Sequence, residues 1–311
     1  MNIFNDFSSI SSIKHPVLTI GTFDGVHIGH KKIIDQLNEE AAKIGGESVL
    51  FTFFPHPRMV IFPESHGLKL IQTQEEKLEK LKEMGLQNVI VFPFTFEFSR
   101  LTALEFVRDM LVNQLHVKKL VIGYDHQFGK NREGSIHFLR DVAETYEFEV
   151  IEIPAQDIDA VHVSSTKIRE AILTGEIEKA NDYLGAPFQL FGTVVQGKQL
   201  GRTIGFPTAN LSLANDLKLI PQNGVYAVKV FYQEQCFEGM MNIGIRPTIE
   251  GKNDPTIEVH IFDFDQTIYG DNLRVELYKK TREEQKFNGI DALKDQLKSD
   301  EISIRNFFNR P

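Results

Sequence analysis

The chain has 311 residues, a mass of 35.5 kDa and 41% hydrophobic content, enough to bury two cores rather than one. Charged residues at 25% and no low-complexity segment exclude a disordered chain, a collagen and a coiled coil. A net charge of −9 argues against holding nucleic acid by phosphate neutralisation, so any bound nucleotide is expected to be small. No apolar run reaches bilayer length, and the first twenty residues lack the basic-then-apolar pattern of a signal peptide. The single cysteine, Cys236, forms neither an internal disulfide nor a thiolate metal site, which fits a reducing, cytoplasmic compartment.

Residues 1–184 carry 19 basic and 27 acidic side chains and nine of the ten histidines; residues 185–311 carry 15 and 16. In the first part, apolar runs at Val17–Ile20, Val49–Phe53, Val89–Phe92 and Leu120–Gly123 alternate with helical patterns near 29–44, 73–85, 102–115 and 134–146. That alternation predicts parallel strands joined by crossover helices. Helical stretches at Ser165–Thr174 and Ile177–Leu184 follow, and Gly185-Ala-Pro187 ends them. From Phe188 onward β-rich runs are closely spaced: 190–195, 224–232, 235–243, 256–262 and 272–278. Gln196-Gly197, Asn223-Gly224 and Tyr269-Gly270-Asp271 separate them as turns. This texture predicts a small β-barrel closed by a helix over about 289–299 and a last turn near 303–309. The expected domains are 1–184 and 185–311.

Gly21-Thr-Phe-Asp-Gly-Val-His-Ile-Gly-His30 lies between the first strand and the first helix. A helix N-terminus offers free N–H groups and a positive dipole end to phosphate. Glycines let the backbone approach an anion, and His27 and His30 can donate hydrogen bonds where charge builds as a phosphorus bond breaks. Taken alone, the pair could equally cap a helix and fill a core gap, but the strand–loop–helix setting favours the phosphate site. Ser164-Ser-Thr-Lys-Ile-Arg169 opens a later helix. It reads either as a cap with a solvated arginine or as a second phosphate clamp, arginine supplying bidentate geometry. Phe54-Pro-His-Pro57 and Gly123-Tyr-Asp-His-Gln-Phe-Gly129 each follow a predicted strand, where α/β sheets bind ligands.

In this order the four elements resemble the nucleotidyltransferase module of bacterial bifunctional riboflavin kinase/FAD synthetases over roughly residues 1–184. The resemblance implies an HxGH-type, Rossmann-like parallel sheet in which Gly21, Thr22, Phe23, His27, Gly29, His30, Asp125, Ser165, Thr166 and Arg169 contact ATP. His126 stands where the family commonly carries Phe.

In the β-rich part, Lys198 and Arg202 sit in the connecting loop of a glycine-punctuated stretch, Gly192 to Leu211, that lacks the spacing and following helix of a Walker P-loop. The loop is either a hairpin with a basic turn or an ATP-phosphate cover using Gly197, Lys198 and Arg202, with Thr208 and Asn210 as oxygen ligands for Mg²⁺. Glu258 interrupts an apolar strand; it either turns to solvent or serves as a base. With Gly224-Val-Tyr226, Asn242-Ile-Gly-x-x-Pro-Thr248, Tyr269-Gly270 and Arg282, these features resemble the riboflavin kinase module across nearly all of 187–311.

The joint resemblance implies a multifunctional, ATP-binding transferase. Its kinase domain converts riboflavin to FMN, with Glu258 as base and Thr208 and Asn210 holding Mg²⁺. Its nucleotidyltransferase domain then converts FMN to FAD and pyrophosphate, with His27, His30 and Arg169 at the phosphates. Riboflavin, FMN and ATP are the expected partners. Arg282 is the implied flavin or phosphate contact, and Phe62 and Phe128 are stacking candidates. An aminoacyl-tRNA synthetase would need a Lys-Met-Ser-Lys-Ser-like loop and a basic surface, and neither is visible. A flavin-binding protein without activity would not need His27, His30, Arg169, Thr208, Asn210 and Glu258 together.

Overall fold

The computed structural model describes residues 1–7, 10–63, 67–123, 126–154, 163–197, 200–247 and 253–309. Asp125 and Lys198, two of the expected ATP contacts, lie outside the described residues, as does Thr248. The chain forms two compact units, Met1–Ser165 and Thr166–Pro311.

In the first unit six parallel strands run in the order β1-β4-β3-β2-β5-β6. They are β1 (Asn2–Phe4), β2 (Val17–Ile20), β3 (Ser48–Phe54), β4 (Asn88–Pro93), β5 (Lys119–Gly123) and β6 (Glu149–Ile153). The strand order reverses at β2, so a crevice opens beyond its C-terminal end between β2 and β5, where ligands enter such sheets. Strands buried on both faces explain the unbroken apolar runs. Val17, Leu50 and Val89 pack on one face with Ile34 and Leu37 of α1 (Ile28–Lys43) and Leu81 of α3 (Gln74–Glu83); α2 (Pro57–Ile61) lies between them in sequence. Leu18, Val49 and Phe51 pack on the other face with Leu111, Leu139 and Ala143. Each such buried aliphatic side chain contributes roughly 1.5–3 kcal/mol.

The helix expected over 102–115 takes an unusual form. Thr102 caps α4 (Ala103–Glu105) through a reciprocal pair with Glu105, and the chain then widens into a π-helix, Phe106–Gln114. Leu115 N–H accordingly bonds the Met110 carbonyl, five residues back, at 3.0 Å. The widening seats Phe106, Val107 and Leu111 together in the core. After it comes α5 (Ile136–Tyr146).

The second unit, from Thr166, takes in all of α6 (Ser165–Leu173) but its first residue, and then α7 (Ile177–Leu184). Its contacts start ahead of the junction suggested near Gly185 to Phe188. The Asn181 carboxamide of α7 donates to the Leu277 carbonyl and accepts from Phe188 N–H, both at 2.8 Å, which ties this helix to the barrel. The barrel closes in the order β10-β11-β8-β7-β12-β9, every pair antiparallel. Its strands are β7 (Phe188–Val195), β8 (Ala209–Leu213), β9 (Gly224–Tyr232), β10 (Gln235–Pro247), β11 (Asn253–Ile261) and β12 (Asn272–Arg282). A short turn of helix, α8 (Leu200–Thr203), precedes β8.

One continuous helix, α9 (Ile290–Phe308), replaces the expected helix and separate turn. Its Ile304 joins Ile204, Phe206, Val225 and Met240 in a buried cluster. Its buried Asp300 receives the Arg282 guanidinium at 2.8–3.1 Å. These contacts hold residues 300–304 helical where the sequence suggested a break.

Candidate active sites

The histidine loop leaves β2 and is fastened on several sides. Gly21 N–H continues the ladder to the Phe51 carbonyl at 3.0 Å. Asp24 Oδ1 accepts from Ile71 N–H at 3.0 Å, and Val26 N–H reaches Gln72 Oε1 at 2.7 Å. Gly25 has φ +67°, and a Cβ there would meet Ile71 at 2.8 Å, so glycine is required on both counts. Phe23 holds φ +50°, a conformation that costs energy in a non-glycine residue and marks functional loops.

His27 and His30 form a reciprocal cap on α1. His30 N–H donates to His27 Nδ1 at 3.2 Å, and His27 N–H to His30 Nδ1 at 3.5 Å. The rings stack 3.7 Å apart, with Phe23 stacked on His30 at 4.2 Å. The sequence alternatives of helix cap and phosphate site are therefore not exclusive. With Nδ1 accepting, the His27 proton sits on Nε2. Burial lowers the His27 pKa from 6.5 to about 4. Burial also holds His30 well below its ordinary value, helped by the nearby His27 and Lys77 and opposed by a hydrogen bond to the Gly25 backbone. Both shifts favour the neutral imidazole, which leaves the His27 Nε2–H as a donor without a positive charge.

Ser165 Oγ donates to the Asp24 carbonyl at 2.8 Å, which brings the start of the late motif onto the histidine loop. Thr166, exposed, and Arg169, half-buried, follow on α6. Beside Gly21 and Thr22 a cavity of about 540 Å³ opens, walled by Phe53, Phe98, Phe106, His126 and Phe128 with Arg58 and Arg132 also lining it. Its volume and aromatic lining suit a planar heterocycle. His126 stacks on Phe128 at 5.9 Å and keeps a flat ring in the aromatic wall. Phe62 caps α2 and is 59% exposed; its neighbour Ile61 lines the cavity.

Sequence reasoning missed Lys77, which is 6% exposed. Its Nζ donates to the Thr22 carbonyl and to Thr52 Oγ1, each at 3.2 Å. The surrounding Glu-Glu-Lys-Leu-Glu-Lys pattern looks solvated; spacing of four from the buried Leu81 is the one signal that places Lys77 inside.

In the barrel, β11 separates two cavities. Glu258 and His260 line one of about 250 Å³ with Asn242, Met240, Arg282 and Phe287. Val259 and Ile261 line the other, of about 360 Å³, with Arg202, Asp265 and Tyr269. Thr208 lines both. Its hydroxyl lies 3.5 Å from Glu258 Oε2, and Glu258 faces Asn210 in the strand register. Half-buried Glu258 thus points into a cavity rather than to bulk solvent. His260 Nδ1 lies 2.7 Å from the Pro207 carbonyl, fixing the segment that carries Thr208. A Cβ on Gly197 would collide with the Asn210 carboxamide, so the missing side chain is what lets the loop close on Asn210. Arg282 lines the Glu258 cavity while engaged with Asp300.

Residues 9–167 match the FAD synthetase family and residues 184–308 the riboflavin kinase family. A bifunctional riboflavin kinase/FMN adenylyltransferase from Listeria monocytogenes is 41% identical over 292 residues, covering 94% of this chain and 92% of the relative. The enzyme of that description from Escherichia coli K12 is 40% identical over 293 residues, again 94% and 92%. A crystal structure described as a macrolide-efflux protein from Streptococcus pneumoniae is 34% identical, with a TM-score of 0.87 over 98% of both chains. Among the described residues no helix is long and apolar enough to cross a membrane.

Proposed function

Because the chain belongs to the bifunctional riboflavin kinase/FMN adenylyltransferase family, we propose how its own residues divide the two reactions. The enzyme phosphorylates riboflavin to FMN with one ATP and transfers AMP from a second ATP to FMN, giving FAD and pyrophosphate. We assign the adenylyl transfer to residues 1–184 and the phosphorylation to 185–311.

In the kinase, Glu258 takes the proton of the ribityl hydroxyl as that oxygen attacks the γ-phosphorus, and ADP leaves. The observation that carries this reading is Thr208, which lines the cavity holding Glu258 and the neighbouring cavity that contains Arg202. Riboflavin fits the first, with Arg282 and Phe287 on its wall, and ATP the second, with Gly197, Lys198 and Arg202 near the phosphates. The Thr208 hydroxyl and Asn210 carboxamide near the Glu258 carboxylate offer the oxygen donors that Mg²⁺ prefers. These residues would hold Mg²⁺, which when bound neutralises phosphate charge.

In the adenylyltransferase, the FMN phosphate attacks the α-phosphorus of ATP and pyrophosphate departs. The His27 Nε2–H offers a neutral hydrogen bond to the phosphates, His30 backs it through the stacked, reciprocal cap, and Arg169 supplies charge. Gly21, Thr22, Phe23, Gly29, Asp125, Ser165 and Thr166 surround the nucleotide, and Phe128 and Phe62 flank the flavin. No covalent enzyme intermediate is needed. The acidic charge balance, the single cysteine and the substrates fit a cytoplasmic enzyme that does not handle nucleic acid.

Chromatography of the flavins formed from riboflavin and MgATP tests the assignment. FMN should appear first and FAD later. Glu258→Ala should abolish FMN formation while added FMN is still adenylylated, and His30→Ala should let FMN accumulate. Loss of both steps in both variants, or no change to any flavin, would show the two-site division to be wrong.

A further inference from the structure

Lys77 sits in the first turn of α3, at the positive end of the helix dipole, and is almost fully buried. Both conditions disfavour an ammonium group, and lysines are rarely buried without a charged partner or a task. Met or Leu would fill the same volume without the desolvation cost. The side chain instead reaches under the histidine loop. Its Nζ donates to the Thr22 carbonyl and Thr52 Oγ1, and Thr52 Oγ1 in turn donates to the Thr22 carbonyl at 3.2 Å. Asp24, whose own side chain holds Ile71, attracts the ammonium from the same loop. Burial lowers the Lys77 pKa to about 8, which leaves it protonated at neutral pH. Its field already acts on His30, whose protonation it disfavours.

We propose that Lys77 is a positioning residue for adenylyl transfer: from beneath Thr22 it fixes the loop backbone and adds positive potential where pyrophosphate departs. The first part of the chain is acidic on balance and its histidines are neutral, so a fixed cation behind the loop supplies charge that the imidazoles do not. Lys77 acts through Thr22 and the loop; it is not assigned a contact with substrate.

This inference rests on the reading of the first unit as the adenylyltransferase. Steady-state FAD formation from FMN and MgATP, with the full-length chain, compares wild type with Lys77→Met, Lys77→Gln and Lys77→Arg, and riboflavin phosphorylation is measured alongside. Met and Gln should each lower kcat for FAD formation by about tenfold or more, with less than about a threefold change in KM for ATP, the pattern of an interaction made in the transition state. Arg should recover at least about a third of the wild-type kcat, and phosphorylation should be unchanged throughout. Equal losses in all three variants would reduce Lys77 to packing, and wild-type kinetics in Met and Gln would remove it from the reaction; either result overturns the proposal. If circular dichroism shows that Met unfolds the first unit, the contrast between Gln and Arg decides. A wild-type chain that makes no FAD would instead overturn the underlying reading.

Discussion

The two sites handle charge in opposite ways. The histidine loop buries its titratable groups, locks them into a reciprocal helix cap and keeps them neutral. The barrel leaves a half-buried carboxylate facing a cavity, with a threonine hydroxyl 3.5 Å away. The proposed division accounts for the difference. A phosphate nucleophile needs no base, so preset dipoles serve the first reaction, whereas a neutral hydroxyl needs one, the role proposed for the Glu258 carboxylate.

The contrast breaks most visibly at Glu258. Glu258→Gln keeps the shape and removes the base, and FMN formation should fall by about 10²–10⁴ while adenylylation of supplied FMN is untouched. A loss of less than tenfold in single-turnover phosphorylation would mean that the hydroxyl needs no base. His27→Asn is the matched test in the other unit. Asparagine still caps a helix, so the fold is kept, but the Nε2–H donor is gone. FAD formation should drop by about 10²–10³ and FMN formation should hold.

A smaller effect separates the units by stability rather than chemistry. Asp300 is 5% exposed and takes three contacts from Arg282. Asp300→Ala strands the guanidinium and loosens α9, at a cost of about 3 kcal/mol. Thermal melts followed by the two activities should show kinase loss at lower temperature and adenylyltransferase loss unchanged. Parallel loss of both would mean that the units unfold together.

Much of this organisation was legible before any coordinates. Apolar runs located four of the six sheet strands, because a parallel strand buried on both faces is apolar throughout. The missed pair sit at the sheet edges: β1 has three residues, and in β6 Glu149 and Glu152 interrupt the apolar run. β8 is hidden because Pro207-Thr-Ala-Asn210 suggests a ligand-bearing loop, yet Ala209 and Asn210 pair with Val259 and Glu258. The π-helix left no trace, since its apolar spacing differs from α by less than one residue per turn. At the sites, motif order exposed the histidines and Glu258. Lys77 stayed hidden because, among charged neighbours, its one local sign of burial is the four-residue spacing from Leu81.

The subtlest consequence of the contrast lies in pH. Both imidazoles are harder to protonate in the folded chain than in the unfolded one. For His27 the folded value is about 4 against the ordinary 6.5, so between these limits the unfolded chain binds more protons and stability rises with pH. Charging the buried ring thus costs up to about 3 kcal/mol of stability, incurred progressively as pH falls from 6.5 toward 4; His30 acts in the same direction. Denaturant unfolding of the first unit, read by adenylyltransferase activity, should weaken across this window, and His27→Asn should flatten part of the slope. First-unit stability that stays level or grows as pH falls from 6.5 to 4 would mean that the folded loop holds charged imidazoles, and that the two sites do not differ in the way described.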